Sequence, residues 1–206
     1  VELTQSAQKI GADGALLLTP YYNKPTQEGL YQHFSTVAKE TDLPIMLYNV
    51  PSRTAVNMKP GTVARLSSIK NIVGIKEASG SLVQVSEIID SCGPEFSVIS
   101  GEDALTWPIL AIGGKGVISV TANLVPSKFA KLCQTAREGD IETAKALHYE
   151  LLKLNDIMFI ETNPIPVKAA LALMGRIENE FRLPLCPPTE ENLAQLSTVL
   201  KAYSLV

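Results

Sequence analysis

A lysine, a tyrosine and an arginine stand at or just beyond the ends of short apolar runs: Lys76 in Gly74-Ile75-Lys76-Glu77-Ala78-Ser79-Gly80, Tyr48 in Ile45-Met46-Leu47-Tyr48-Asn49, and Arg53 in Pro51-Ser52-Arg53-Thr54. The run Ile72-Val73-Gly74-Ile75 reads as a strand buried on both faces, because nothing polar alternates with its apolar residues. A lysine leaving such a strand end is poorly hydrated. Desolvation at such a strand end is expected to disfavour the charged amine. The neutral amine can attack a carbonyl and form a Schiff base. The bland alternative is a lysine that snorkels off the strand terminus into water.

A Schiff-base enzyme also needs a proton shuttle and a group that holds a substrate carboxylate. Tyr48, ending the adjacent strand, would bring a hydroxyl close to the amine, and Arg53 carries a fork suited to a carboxylate. Singly, Tyr48 reads equally as a packed strand-end aromatic and Arg53 as a solvated loop charge. With Lys76, they make a metal-independent Schiff-base lyase or aldolase the leading reading.

Other chemistries find less support. His33 and His148 are far apart, and neither His-Glu-x-x-His nor Cys-x-x-Cys occurs, so no metal site is expected. Gly113-Gly114-Lys115-Gly116 precedes a strand instead of following one, which suits a tight turn and not a phosphate loop. Gly101-Glu102-Asp103 reads as a helix start whose acids complement the helix dipole. Cys92, Cys133 and Cys186 are scattered and odd in number, as free thiols in a reducing, cytoplasmic compartment would be.

The 206 residues are 46% hydrophobic and 19% charged with a net charge of −3, which suits a globular chain with a sizeable core. That charge gives no support to nucleic-acid or membrane-surface binding. No apolar run approaches the ~20 residues of a membrane span, and no signal peptide is visible.

Strand, loop and helix recur five times. Strands are expected at 14–19, 44–49, 72–76, 96–100 and 116–120, and helices over 1–10, 26–39, 59–68, 82–90 and 103–112, with 50–54 a loop. Helices at about 126–137, 140–160, 164–174 and from Glu190 follow. Regular βα alternation implies a parallel sheet covered by helices. Doubly wound sheets and (β/α)8 barrels both fit. The barrel is favoured because the chemical candidates follow the C-terminal ends of several strands. The expected fold is an α/β TIM (β/α)8 barrel with about five βα units present. Residues 1–125 would form the partial barrel, and 126–206 a closing helix and C-terminal helical extension.

Thr19-Pro20-Tyr21-Tyr22-Asn23, Tyr48-Asn49-Val50-Pro51-Ser52-Arg53-Thr54, Gly74-Ile75-Lys76-Glu77-Ala78-Ser79-Gly80, Gly114-Lys115-Gly116-Val117-Ile118-Ser119-Val120-Thr121-Ala122-Asn123 and Asn163-Pro164-Ile165-Pro166-Val167-Lys168 together resemble the 4-hydroxy-tetrahydrodipicolinate synthase (dihydrodipicolinate synthase) family. The resemblance runs in order over essentially the whole chain. It implies a (β/α)8 barrel that forms homo-oligomers, usually tetramers. It also implies condensation of pyruvate with aspartate 4-semialdehyde toward diaminopimelate and lysine, with no cofactor beyond a covalent pyruvate imine. Lys76 matches the imine-forming lysine and Tyr48 the catalytic tyrosine. Tyr22 matches the tyrosine that completes the relay in a neighbouring subunit's site. Arg53 matches the arginine for the aldehyde substrate's carboxylate, Gly101 and Ile118 line the pyruvate pocket, and Tyr21 lies at a lysine-feedback pocket where that regulation exists.

The family's Gly-Thr-Thr-Gly-Glu segment, which holds pyruvate's carboxylate and supplies a relay hydroxyl, has no counterpart here. The expectation is therefore that an N-terminal portion of about three βα units is absent, and that these residues alone are inactive. Two alternatives stay open: another lysine aldolase of the N-acetylneuraminate lyase superfamily, or a non-catalytic remnant serving as a subunit. Members of that superfamily generally lack the arginine of Pro-Ser-Arg-Thr, so Arg53 separates the first of these.

Overall fold

The computed structural model describes all 206 residues. The chain divides into two compact units, Val1–Ile118 and Ser119–Val206. The first alternates helices and strands: α1 (Glu2–Lys9), β1 (Ala15–Leu18), α2 (Gln27–Lys39), β2 (Ile45–Asn49), α3 (Pro51–Thr54), α4 (Pro60–Ser67), β3 (Ile72–Glu77), α5 (Leu82–Cys92), β4 (Ser97–Ser100), α6 (Thr106–Ala111) and β5 (Gly116–Val117). Local chemistry starts the helices where the sequence suggests. Thr26 caps α2 by accepting the Gly29 N–H, and Ser81 caps α5 by accepting that of Gln84.

All five strands are parallel and lie side by side in chain order, β1-β2-β3-β4-β5. A doubly wound sheet reverses its strand order at a switch point. This one never does, so its architecture is that of five consecutive βα units of a (β/α)8 barrel. The core joins one face of the sheet to its helices: Ile45 and Leu47 of β2, Ile72 and Ile75 of β3 and Val98 of β4 pack with Leu30 and Phe34 of α2, Val63 and Leu66 of α4, and Ile88 of α5.

The expectation of strands buried on both faces is corrected. Burial alternates along β1, β2 and β4, and Leu16, Leu18 and Val73 are 46%, 39% and 39% exposed. Helices cover only one face of the five strands, so apolar residues on the other face remain partly open. Strand β3 adds a second departure. Ile45 pairs with Ile72 but Met46 pairs with Gly74, so the register slips by one residue and Val73 has no partner. This bulge restores the alternation that Ile72 and Ile75, three residues apart and both in the core, would otherwise break.

Three further boundaries differ from expectation. Residues 51–54, read as loop, form the short helix α3, with Pro51 in its first turn. The stretch 103–112 opens with a 3-10 turn, Asp103–Leu105, before α6. Strand β5 is only two residues long, because β4 ends at Ser100 and offers Ile118 one last bond, from its N–H to the Ser100 carbonyl.

The second unit is helical: α7 (Pro126–Glu138), α8 (Ile141–Ile157), α9 (Ile165–Leu173) and α10 (Glu190–Ala202). Phe129, Leu132, Leu147, Leu151, Leu154, Leu196 and Leu200 are its buried core. Asp140 and Thr189 cap α8 and α10 through the N–H groups of Thr143 and Asn192. No helix is long and apolar enough to cross a membrane.

Candidate active site

Parallel pairing makes Tyr48 and Lys76 direct neighbours, each one residue before its strand ends, with Leu18 on the far side of Tyr48 and Ile99 on the far side of Lys76. The four side chains share the sheet face that helices leave open. Lys76 is partly buried, and its Nζ lies 4.2 Å from the centroid of the Tyr48 ring. That places the amine over the ring face, where the aromatic quadrupole attracts a cation. The two side chains are thus together, but through the ring: no hydrogen bond joins the Tyr48 hydroxyl to the amine.

Gly101 follows β4 and donates its N–H to the Glu77 carbonyl at 2.8 Å. A Cβ there would stand 2.8 Å from Ala78 Cβ and 3.1 Å from Lys76 Cε. Only a residue without a side chain lets the lysine run past this turn. Ile118 lies just beyond β5 and is 43% exposed.

Arg53 projects from α3, immediately after β2, and is exposed. Its turn is fastened from within: the Thr54 hydroxyl lies 3.1 and 3.0 Å from the carbonyls of Val50 and Val56 and accepts the Val56 N–H at 3.2 Å. Tyr21 and Tyr22 stand on the loop after β1 and are 62% and 92% exposed.

Sequence reasoning passed over a second row. One residue beyond Leu18, Tyr48, Lys76 and Ile99 come Thr19, Asn49, Glu77 and Ser100, all at most 1% exposed. The ladder pairs Asn49 with Glu77 and Glu77 with Ser100. This is a polar belt on the helix-covered side of the sheet. The signal was present: each apolar run ends on a polar residue, which on a two-residue period must point opposite to its predecessor. Glu102, read as complementing a helix dipole, is instead partly buried. Burial first, and the neighbouring Asp103 charge second, push its carboxyl above the usual range. No group of three or more His, Cys, Asp or Glu is close enough to hold a metal ion.

Residues 1–203 match the model of the dihydrodipicolinate synthetase family. The chain is 56% identical over 207 residues to the 4-hydroxy-tetrahydrodipicolinate synthase of Nitratidesulfovibrio vulgaris strain Miyazaki F, an alignment covering all of this chain and 71% of that protein. The crystal structure of dihydrodipicolinate synthase from Aquifex aeolicus is 51% identical with a TM-score of 0.97, covering 99% of this chain and 70% of that one. A chloride-inhibited dihydrodipicolinate synthase from Acinetobacter baumannii, in complex with pyruvate, is 46% identical with a TM-score of 0.97, covering 100% of this chain and 70% of that one.

Proposed function

The chain belongs to the dihydrodipicolinate synthetase family, and on that premise we propose that it carries Schiff-base lyase machinery that condenses pyruvate with L-aspartate 4-semialdehyde, in lysine and diaminopimelate biosynthesis. The observation that carries this reading is the Lys76 amine held 4.2 Å above the Tyr48 ring. The relative from Acinetobacter baumannii binds pyruvate, a 2-oxo acid whose ketone suits that amine.

In this proposal Lys76 Nζ adds to the keto carbon of pyruvate, and water leaves to give an imine. Loss of a C3 proton, carried away through the Tyr48 hydroxyl, gives an enamine. Its C3 attacks the aldehyde carbon of the second substrate, and the aldehyde oxygen takes up the proton. The amino group of that substrate then attacks the imine carbon, closes the ring and frees Lys76, so one water is lost overall. Arg53 binds the second substrate's carboxylate by its planar fork. The turns at Gly101 and Ile118 line the pyruvate side. No metal or organic cofactor is required.

The exposure of Tyr21 and Tyr22 favours roles between subunits. Tyr22 would complete the relay of a neighbouring copy, and Tyr21 would border a pocket for lysine as inhibitor. A homo-oligomer in the cytoplasm is the setting this implies. Residues 126–206 would serve it as the barrel's closing helix and helical extension.

Incubation with pyruvate, reduction with borohydride and peptide mass spectrometry test the reading. A stable adduct on the Lys76 peptide, absent in Lys76→Ala, is expected. A folded protein that gives no reducible adduct would overturn it.

A further inference from the structure

The cluster directly beyond the Tyr48–Lys76 pair has no part in the chemistry above. Glu77 is 1% exposed and Asn49 is fully buried. The Glu77 carboxylate collects three donors: the Ser79 N–H on Oε1 at 2.6 Å, and Asn49 Nδ2 at 2.9 Å and Gln84 Nε2 at 3.3 Å on Oε2. Asn57 closes the ring, its Oδ1 accepting from Asn49 Nδ2 at 2.8 Å and Gln84 Nε2 at 3.0 Å, while its Nδ2 donates to Gln84 Oε1 at 2.9 Å.

The direction of these bonds is fixed. Asn49 Oδ1 accepts the Met58 N–H at 2.9 Å, so its amide nitrogen can only face Glu77 and Asn57. Position 77 must therefore accept on both of its side-chain oxygens, which a carboxyl group can do and an amide cannot. A buried carboxylate is costly unless its oxygens are satisfied, and here both are.

Each bond acts on the site. The Ser79 bond sets the first turn after Lys76, and the Asn49 bond ties the end of β3 to the end of β2, which carries Tyr48. Asn57 extends the clamp to the segment behind the Arg53 helix. None of these groups touches the amine or the ring.

We propose that Glu77 is a positioning residue: its buried carboxylate clamps the ends of β2 and β3 so that Lys76 Nζ stays over Tyr48 and reacts with the 2-oxo acid in one geometry. The proposal rests on the Schiff-base reading of Lys76. Glu77→Gln keeps the shape but turns one acceptor into a donor facing a donor.

The test follows pyruvate trapping by borohydride on Lys76 with time, at several pH values, in the unsubstituted protein and in Glu77→Gln, each checked for folding by thermal melting. The expected result is a saturating trapping rate reduced about tenfold or more per folded molecule, with less than about twofold change in half-saturation by pyruvate, since a misplaced reactant loses rate more than binding. An unchanged rate and pH profile in folded Glu77→Gln would overturn the inference alone. No adduct on the unsubstituted protein would overturn both it and the Schiff-base reading. Should Glu77→Gln not fold, Gln84→Met, which leaves two of the three donors, is read in its place, with a reduced rate expected and an unchanged one overturning the proposal.

Discussion

Lys76 runs past Gly101 so closely that a single carbon added to the glycine would stand 3.1 Å from the lysine Cε, with Ala78 Cβ at 2.8 Å and the Glu77 carbonyl oxygen at 3.2 Å. Something must shift, and the lysine chain is the most mobile of the three. Gly101→Ala should slow pyruvate trapping about tenfold or more, because small displacements of a reacting group are costly in rate. It should also cost about 1–3 kcal/mol of stability, as overpacking does. A trapping time course and a denaturant melt measure both, and a normal time course would refute the steric account.

Tyr48→Phe separates the ring from the hydroxyl. The ring beneath the amine is retained, so an adduct on Lys76 should still form. In a protein that also carries the Gly-Thr-Thr-Gly-Glu segment, condensation with the aldehyde should fall about 10²–10⁴-fold, the usual worth of a positioned proton shuttle. Adduct mass and steady-state turnover, measured on one preparation, read the two effects. Equal loss of both would show that the phenol serves packing alone.

Arg53→Lys keeps the charge and removes the fork. In a protein that carries the Gly-Thr-Thr-Gly-Glu segment, losing one charge-assisted bond of about 1.5–3 kcal/mol should raise the KM for the aldehyde substrate about ten- to a hundredfold. The KM for pyruvate should hardly move, since Arg53 lies on α3 and not beside Lys76 in the ladder. Initial rates with each substrate varied in turn decide the matter. Sugar aldehydes tried in place of aspartate 4-semialdehyde check the choice of partner.

Burial holds the His148 imidazole below its ordinary value. The native state therefore binds fewer protons than the unfolded chain between the folded pKa and the ordinary value of about 6.5. Stability should fall as pH drops from about 6.5 through the folded pKa and level off below it. His148→Gln should flatten that part of the curve of Tm against pH. An unaltered curve would mean that other groups set the acid sensitivity.

Much of the site was legible in advance because its residues sit at the ends of apolar runs. The run before Tyr48, the run before Lys76 and the Pro-Ser-Arg-Thr turn identify strand ends, a lysine and a carboxylate fork before any coordinate is known. Periodicity alone left the strand order open between two α/β architectures. The order β1 to β5, with no reversal, decided it. The start of the helix expected over 26–39 was equally local, since the Thr26 hydroxyl that caps it accepts an N–H only three residues on.

What the sequence by itself determined, then, was the set of reactive groups and the elements that carry them, because patterning and capping act over a few residues. Only the tertiary structure decided which face each group takes and what stands beside it. The slip at Val73 reverses the parity of β3, so that Lys76 joins Tyr48 on the open face while Glu77 turns into the belt with Asn49. A bulge is a property of two paired strands. No single strand announces on which side its lysine will emerge.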